Sequence, residues 1–170
     1  MVINSKVHQI FFDFGKGKIK NFPLYVKSVN SFKKKSKLKH YLWSEKKVEN
    51  LLKKKYKWVY KIYRKLKFKI QKVDLARYCI LHSEGGFYAD LDIICNKSLK
   101  PLLKNDVFII NYKHIKNPTW KLKYAEMDFI GFKKHSEIAL NLIKYCIKQI
   151  KEKSKMKVYK ERKYRFVHQT

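Results

Sequence analysis

Asp90 and Asp92 stand two residues apart in a hydrophobic run that includes Phe87, Tyr88, Leu91, Ile93 and Ile94. The aromatic and β-branched content predicts a buried strand. Residues i and i+2 of an extended chain project to the same face, so the two carboxylates converge on one point. Paired carboxylates among hydrophobes repel each other and resist burial unless a cation lies between them. A hard divalent ion with oxygen ligands, Mg2+ or Mn2+, meets that need and commonly links carboxylates to the phosphates of a substrate. The competing readings are a strand end whose acids face water, and a phosphatase. The phosphatase wants a small hydroxyl residue after the acids, where this chain has Ile93 and Ile94.

The element that must position this pair precedes it. Val73, Ala76, Ile80 and Leu81 recur at helical intervals and define one apolar face. Gly85-Gly86 stops the helix, because glycine accepts the backbone conformation that closes a helical end. Asp74 and Arg77 lie three residues apart, a spacing that allows a side-chain pair on one helix face.

Taken together, Asp74, Arg77-Tyr78, Leu81, Gly85-Gly86, Tyr88, Asp90 and Asp92 resemble the sugar-binding region of DXD-containing glycosyltransferases of the family-32 type. Their common form is Asp-x-x-Arg-Tyr-x-x-Leu followed by Gly-Gly-x-Tyr-x-Asp-x-Asp, and every position is matched. The resemblance implies a GT-A fold, a nucleotide-sugar donor linked to UDP or GDP, and transfer of a hexose with retention of anomeric configuration. The acceptor would be a glycan, a glycolipid or a protein. It also implies metal contacts for Asp90 and Asp92 and donor contacts for Asp90, Asp74, Arg77 and Tyr88. A guanidinium suits a sugar or diphosphate because it donates in a fixed fork. Gly85 and Gly86 would let the backbone approach the donor.

Further matches lie outward from the motif. His8 and Gln9, in the apolar run Val7 to Phe12, match the family's opening strand and become donor-site candidates; Phe11 replaces its tryptophan. Trp43, ending an alternating run from Leu38, resembles the family's Leu-Trp-Asp and is a further donor-site candidate. Ser44 replaces the acid and reads as a helix N-cap. Tyr124 to Lys134 resembles an Asn-rich strand of the family, which makes Asp128 a candidate catalytic carboxylate, with an edge-strand polar residue as the plainer reading. His168, near the end of the chain, is a candidate late metal ligand. The Gly15-Gly17 loop lacks the Walker pattern and reads as a flexible turn.

Composition bounds the alternatives. The chain has 170 residues and a formal net charge of +29, with only four arginines. Such charge attracts nucleic acid or anionic membrane at low salt. Specific phosphate and base recognition leans on arginine, so no dedicated nucleic-acid partner is expected. The lysine-aromatic stretch 53–72 keeps a basic nucleic-acid-binding protein as the alternative, although a helical pair with a buried aromatic face and lysines in water is the favoured reading of it. A donor-binding transferase without turnover is the other alternative. Cys79, Cys95 and Cys146 show neither zinc spacing nor a disulfide framework and read as reduced thiols. With no apolar run near the roughly 20 residues of a membrane span, a cytoplasmic chain, peripheral to an anionic membrane at most, is expected.

Pro23 opens a helix, Asp106 to Tyr112 reads as a strand, and Ser136 to Lys153 is an amphipathic helix. The alternation of strand and helix predicts an α/β fold, GT-A-like, with a mostly parallel sheet flanked by helices. It would form one domain over 1–170, either minimal or lacking part of its C-terminal acceptor side, with ligands beyond the carboxyl ends of the strands.

Overall fold

A computed structural model describes residues 2–112 and 124–153. Strand β1 (Lys6–Ile10) leads through a loop to helix α1 (Pro23–Lys35) and strand β2 (Lys39–Trp43). Helices α2 (Glu45–Lys55), α3 (Lys57–Tyr63) and α4 (Lys69–Glu84) follow, then strand β3 (Gly86–Ala89). Strands β4 (Val107–Tyr112) and β5 (Tyr124–Phe132) and helix α5 (Glu137–Lys153) complete the described chain. Local signals account for several boundaries. Pro23 occupies the first turn of α1, where its fixed φ is already helical. Ser44 caps α2 by accepting from the Lys47 amide at 3.4 Å, and the Ser136 hydroxyl accepts from the Ala139 amide at the start of α5.

The five strands form one sheet in the order β2-β1-β3-β5-β4. β1 pairs parallel with β2 and with β3, whereas β5 pairs antiparallel with β3 and with β4. The α/β expectation holds, with the parallel character confined to β2-β1-β3. The eleven positions between Tyr112 and Tyr124 are too few for the crossover that parallel neighbours need.

Helices cover both faces. Val48, Leu52, Val59, Ile80 and Ile143, from α2 to α5, pack with Tyr88 on one side. Phe32 of α1 packs with Val7, Phe87 and Ala89 on the other. Successive residues of β3 thus face opposite layers, as the two-residue period of a strand requires. α4 departs from the single apolar face read in its sequence: every residue from Leu75 to Leu81 is buried. It lies against the sheet and also against α2 and α5, and a helix enclosed in this way is buried all round.

Gly85 closes α4 with φ +63°, and its amide donates to the Leu81 carbonyl at 2.8 Å. Gly86 follows with φ +102°. β3 then ends at Ala89, so Asp90 and Asp92 are not embedded in a strand, and Ile93 and Ile94 lie beyond it as well.

Candidate active site

The acidic pair is presented by a turn at the carboxyl end of β3. The Ile93 amide donates back to the Asp90 carbonyl at 3.2 Å and closes the turn. The Asp90 amide donates to the Asp128 carbonyl of β5 at 2.7 Å. From beneath, the Gln9 side chain donates to the Asp90 carbonyl at 3.2 Å and to the Ser28 hydroxyl at 2.9 Å. Ser28 donates in turn to the Ile93 carbonyl at 2.5 Å. Farther along, the Cys95 amide donates to the Ser31 hydroxyl at 2.9 Å. Main-chain groups that a longer strand would have paired are thereby satisfied by side chains of β1 and α1.

Behind the turn lies Arg77, buried on α4. Its guanidinium donates to the Met127 carbonyl at 2.9 Å, pairs with Asp74, and stands 3.8 Å from Asp90 Oδ2. It also sits over the Tyr88 ring, 4.9 Å from the centroid. Burial works against its charge, but the neighbouring Asp90 and Asp74 carboxylates favour it, and its pKa lies above the usual value. Tyr88, 1 % exposed, keeps its proton because burial raises the phenol well above its usual range. It donates that proton to Asp90 Oδ1 at 2.5 Å. Burial also raises the Asp90 carboxyl, with Asp92 adding to the rise and Arg77 and Tyr88 opposing it.

These groups open on a cleft of about 540 Å³. Arg77, Tyr88, Asp90 and Asp92 line one wall. Phe11, Phe14, Phe22, Tyr25 and Phe68 contribute an aromatic wall, with Lys16 and Lys69 beside it. Phe22 and Tyr25 stack at 5.1 Å between centroids, and Phe11 meets Phe22 edge-on. A cleft with one apolar wall and a few convergent charged groups is the form of a small-molecule site. The donor set fits a divalent cation. Asp90 is half-buried and destabilised as an anion by burial and by Asp92, while Asp92 is exposed at the cleft. A hard cation between the two would relieve both penalties, with the open side left for water and phosphate oxygens.

Several sequence-predicted residues have positions other than the expected ones. His8 and Gln9 are 1 % and 0 % exposed and lie below the cleft, outside its lining. Trp43 donates its indole N–H to His8 Nδ1 at 3.1 Å, which leaves His8 Nε2–H to donate to the Gly85 carbonyl at 2.9 Å. Gly85 and Gly86 lie at the amino end of β3, opposite the acidic turn. A Cβ on Gly85 would come within 2.0 Å of Asn4 Oδ1, and one on Gly86 within 2.6 Å of the Lys6 carbonyl. The two glycines therefore admit β1, not a donor. Asp74 lines a separate depression between α4 and α5 and pairs with Arg77 of the cleft wall. Asp128 holds the turn through its carbonyl, and its side chain is not part of the cleft lining. β5 runs between β3 and β4, so Asp128 is not on an edge strand either. His168 lies outside the described residues.

Sequence reasoning missed the aromatic wall and the serine struts. Ser28 and Ser31 occupy the buried face of α1 beside Val29 and Phe32, and polar residues on an apolar stripe are a legible, if unspecific, signal. The turn at Gly15-Gly17 also has an unforeseen organiser. Asp13 Oδ1 accepts from the amides of Gly15, Lys16 and Gly17 at 2.8 to 2.9 Å.

Comparison with known proteins agrees with this geometry. Residues 21–109, slightly more than half of the chain, match the model of the glycosyltransferase sugar-binding region containing the DXD motif. The chain is 41% identical over 69 residues to the inositol phosphoceramide mannosyltransferase 1 of Schizosaccharomyces pombe, covering 41% of this chain and 22% of that protein. It is 38% identical over 76 residues to an uncharacterized glycosyltransferase of Acanthamoeba polyphaga mimivirus, covering 44% and 30%. A mannosyl phosphorylinositol ceramide synthase of Saccharomyces cerevisiae is 37% identical over 68 residues, covering 40% and 18%. The matched segments thus span less than a third of these relatives. The fold is similar to that of the PaToxG glycosyltransferase, with a TM-score of 0.66 at 15% identity over 92% of this chain and 65% of that one. The turn bearing Asp90 and Asp92, the cleft it faces and these matches lead to one conclusion: the chain belongs to the DXD-containing glycosyltransferases and has a GT-A-like α/β fold.

Proposed function

We propose that residues 1–170 act as one GT-A-like unit that binds a nucleotide sugar in the 540 Å³ cleft and transfers its hexose, with retention, to a phosphorylated ceramide-type lipid. The observation that carries this reading is the placement of Asp90, Asp92, Arg77 and Tyr88 on one wall of that cleft. Mannose is the favoured sugar, because the named relatives include an inositol phosphoceramide mannosyltransferase and a mannosyl phosphorylinositol ceramide synthase, and GDP, the usual carrier of activated mannose, is the nucleotide favoured over UDP.

Asp90 and Asp92 would hold Mg2+ or Mn2+. When bound, the ion supplies Lewis-acid stabilisation of the diphosphate leaving group. The chain's own groups do the rest. Tyr88 and Arg77 restrain Asp90 in one orientation. Arg77 also brings a fixed positive charge to the cleft wall, where negative charge grows on the departing diphosphate. The aromatic wall excludes water from one side of the cleft and offers flat apolar surface to the donor.

A thermal-shift screen of nucleotide sugars tests the reading. GDP-mannose with Mn2+ should stabilise the fold, through mass action on the folded state, more than either component alone. Indifference to every GDP- and UDP-linked sugar in the presence of Mn2+ would overturn it.

A further inference from the structure

The segment from Phe14 to Ser44 contains nine lysines and no acidic residue. All nine are exposed. Among the described residues the ion pairs involve other lysines, namely Lys6, Lys53, Lys55, Lys69, Lys72 and Lys133. The nine therefore stand as uncompensated charge. The acid just before the segment, Asp13, is occupied by the amides of its own loop.

This basic segment is also the rim of the cleft. Phe14, Lys16, Phe22 and Tyr25 line the cleft from within it. Two large apolar side chains face outward there, Phe14 at 55 % exposure and Leu24 at 48 %. Leu24 lies in the first turn of α1, whose buried face of Ser28, Val29, Ser31 and Phe32 packs inward. Beyond that first turn its exposed residues are Lys27, Asn30, Lys33, Lys34 and Lys35. Exposed apolar residues at one end of a basic helix suit a surface that is anionic outside and apolar just below, as a phospholipid leaflet is. The segment contains no arginine, whose forked guanidinium serves nucleic-acid recognition better than a lysine does.

We propose that the rim formed by residues 14–22 and the outer face of α1 docks on an anionic bilayer, with Phe14 and Leu24 entering the interface and the lysines meeting lipid phosphates. The cleft mouth then lies at the leaflet surface, where a lipid acceptor reaches the acidic turn without leaving the membrane. The proposal rests on the reading of the acceptor as a lipid.

Co-sedimentation with vesicles of phosphatidylcholine, with and without phosphatidylserine, tests it. A charge-reversal set on the rim, Lys18→Glu, Lys20→Glu and Lys27→Glu, is compared with an equal set elsewhere, Lys54→Glu, Lys57→Glu and Lys61→Glu. The second set flanks Trp58, 45 % exposed and the competing patch. Binding should require phosphatidylserine and weaken as salt rises. The rim set should lose about a hundredfold in partitioning, at roughly a fivefold loss per lysine near the surface, and the second set less than about threefold. Leu24→Ser should lose about tenfold, the scale of withdrawing one leucine from an apolar phase. Equal losses in the two sets, binding to neutral vesicles, or preference for polyuridylate over vesicles at the same salt would each overturn the proposal. Hydrolysis of the nucleotide sugar in vesicle-free buffer is read in the same variants. The rim variants retain it if only docking is lost, whereas its absence from the unaltered chain strikes at the transferase reading alone.

Discussion

The side-chain amide of Gln9, buried in β1, lies 3.2 Å from the main-chain carbonyl of Asp90. The same amide reaches the Ser28 hydroxyl at 2.9 Å, and its oxygen accepts from His40 Nε2 at 2.9 Å. One side chain thus ties β1, β2 and α1 to the turn that presents the acidic pair. Gln9→Leu should destabilise the fold by about 2 kcal/mol or more, because it strands several buried partners. It should also abolish the donor-dependent thermal shift under conditions where the variant is still folded. Ser28→Ala, which removes the bonds to the Ile93 carbonyl and from the Gln9 amide but keeps the Gln9–Asp90 bond, should weaken that shift without abolishing it. A full donor response in Gln9→Leu would mean that the turn holds its shape unaided.

Asp92 is exposed in the turn, whereas Asp90 is held by Tyr88 and neighbours Arg77. Asp92→Ala should leave stability within about 0.5 kcal/mol, as for an exposed position, while removing manganese-dependent hydrolysis of the donor by a factor of about 100 or more. Asp90→Asn should lose activity on the same scale and remain folded, since the amide keeps the shape without the buried charge. Calorimetry beside a hydrolysis assay separates the two effects. Undiminished turnover in either variant would remove that residue from the metal site.

The glycines give a graded test. Gly86→Ala sets a Cβ 2.6 Å from the Lys6 carbonyl on a backbone with φ +102°. It should cost about 3 kcal/mol, because neither the strand pairing nor the left-handed backbone can relax. Gly15→Ala also has positive φ but meets nothing within 4 Å and should cost only about 1 kcal/mol. Urea unfolding of both variants reads the difference, and equal costs would show that crowding against β1 is not what the second glycine relieves.

His8 yields a pH prediction. Burial lowers its pKa to about 4 from the ordinary 6.5, so the folded chain keeps it neutral. Between these two values the unfolded state binds the proton that the folded state refuses, and stability rises with pH. His8 therefore imposes no penalty above pH 6.5, and its penalty grows as pH falls toward 4, reaching about 3 kcal/mol. Burial also lowers His40 to about 4, which gives the same sign. Unfolding measured at steps from pH 7 to pH 4.5 should show the decline, and His8→Gln should flatten part of it.

Much of the site was legible because its signals are local. The spacing of Asp74, Arg77, Gly85-Gly86, Tyr88, Asp90 and Asp92 identified the family. Ser44 was readable as a cap because its partner lies three residues away. The same spacing misled on shape. Hydrophobicity continues through Ile93 and Ile94, yet β3 stops at Ala89. A strand persists only while neighbours pair with it, and beyond Ala89 the β5 main chain offers the Asp128 carbonyl to Asp90, after which the Gln9 and Ser28 side chains take over.

The sequence by itself determined the chemistry on offer: which carboxylates stand together, which arginine precedes them and where the glycines interrupt the chain. Tertiary structure decided what each of these does. It turned His8 and Gln9 into supports, gave the glycines to β1, and assembled an aromatic wall from residues between Phe11 and Phe68. Roles that depend on residues three or four positions away are written in local spacing. Roles that depend on a partner 77 or 81 positions away, as for His8 with Gly85 and Gln9 with Asp90, exist only once the sheet has brought the two segments together.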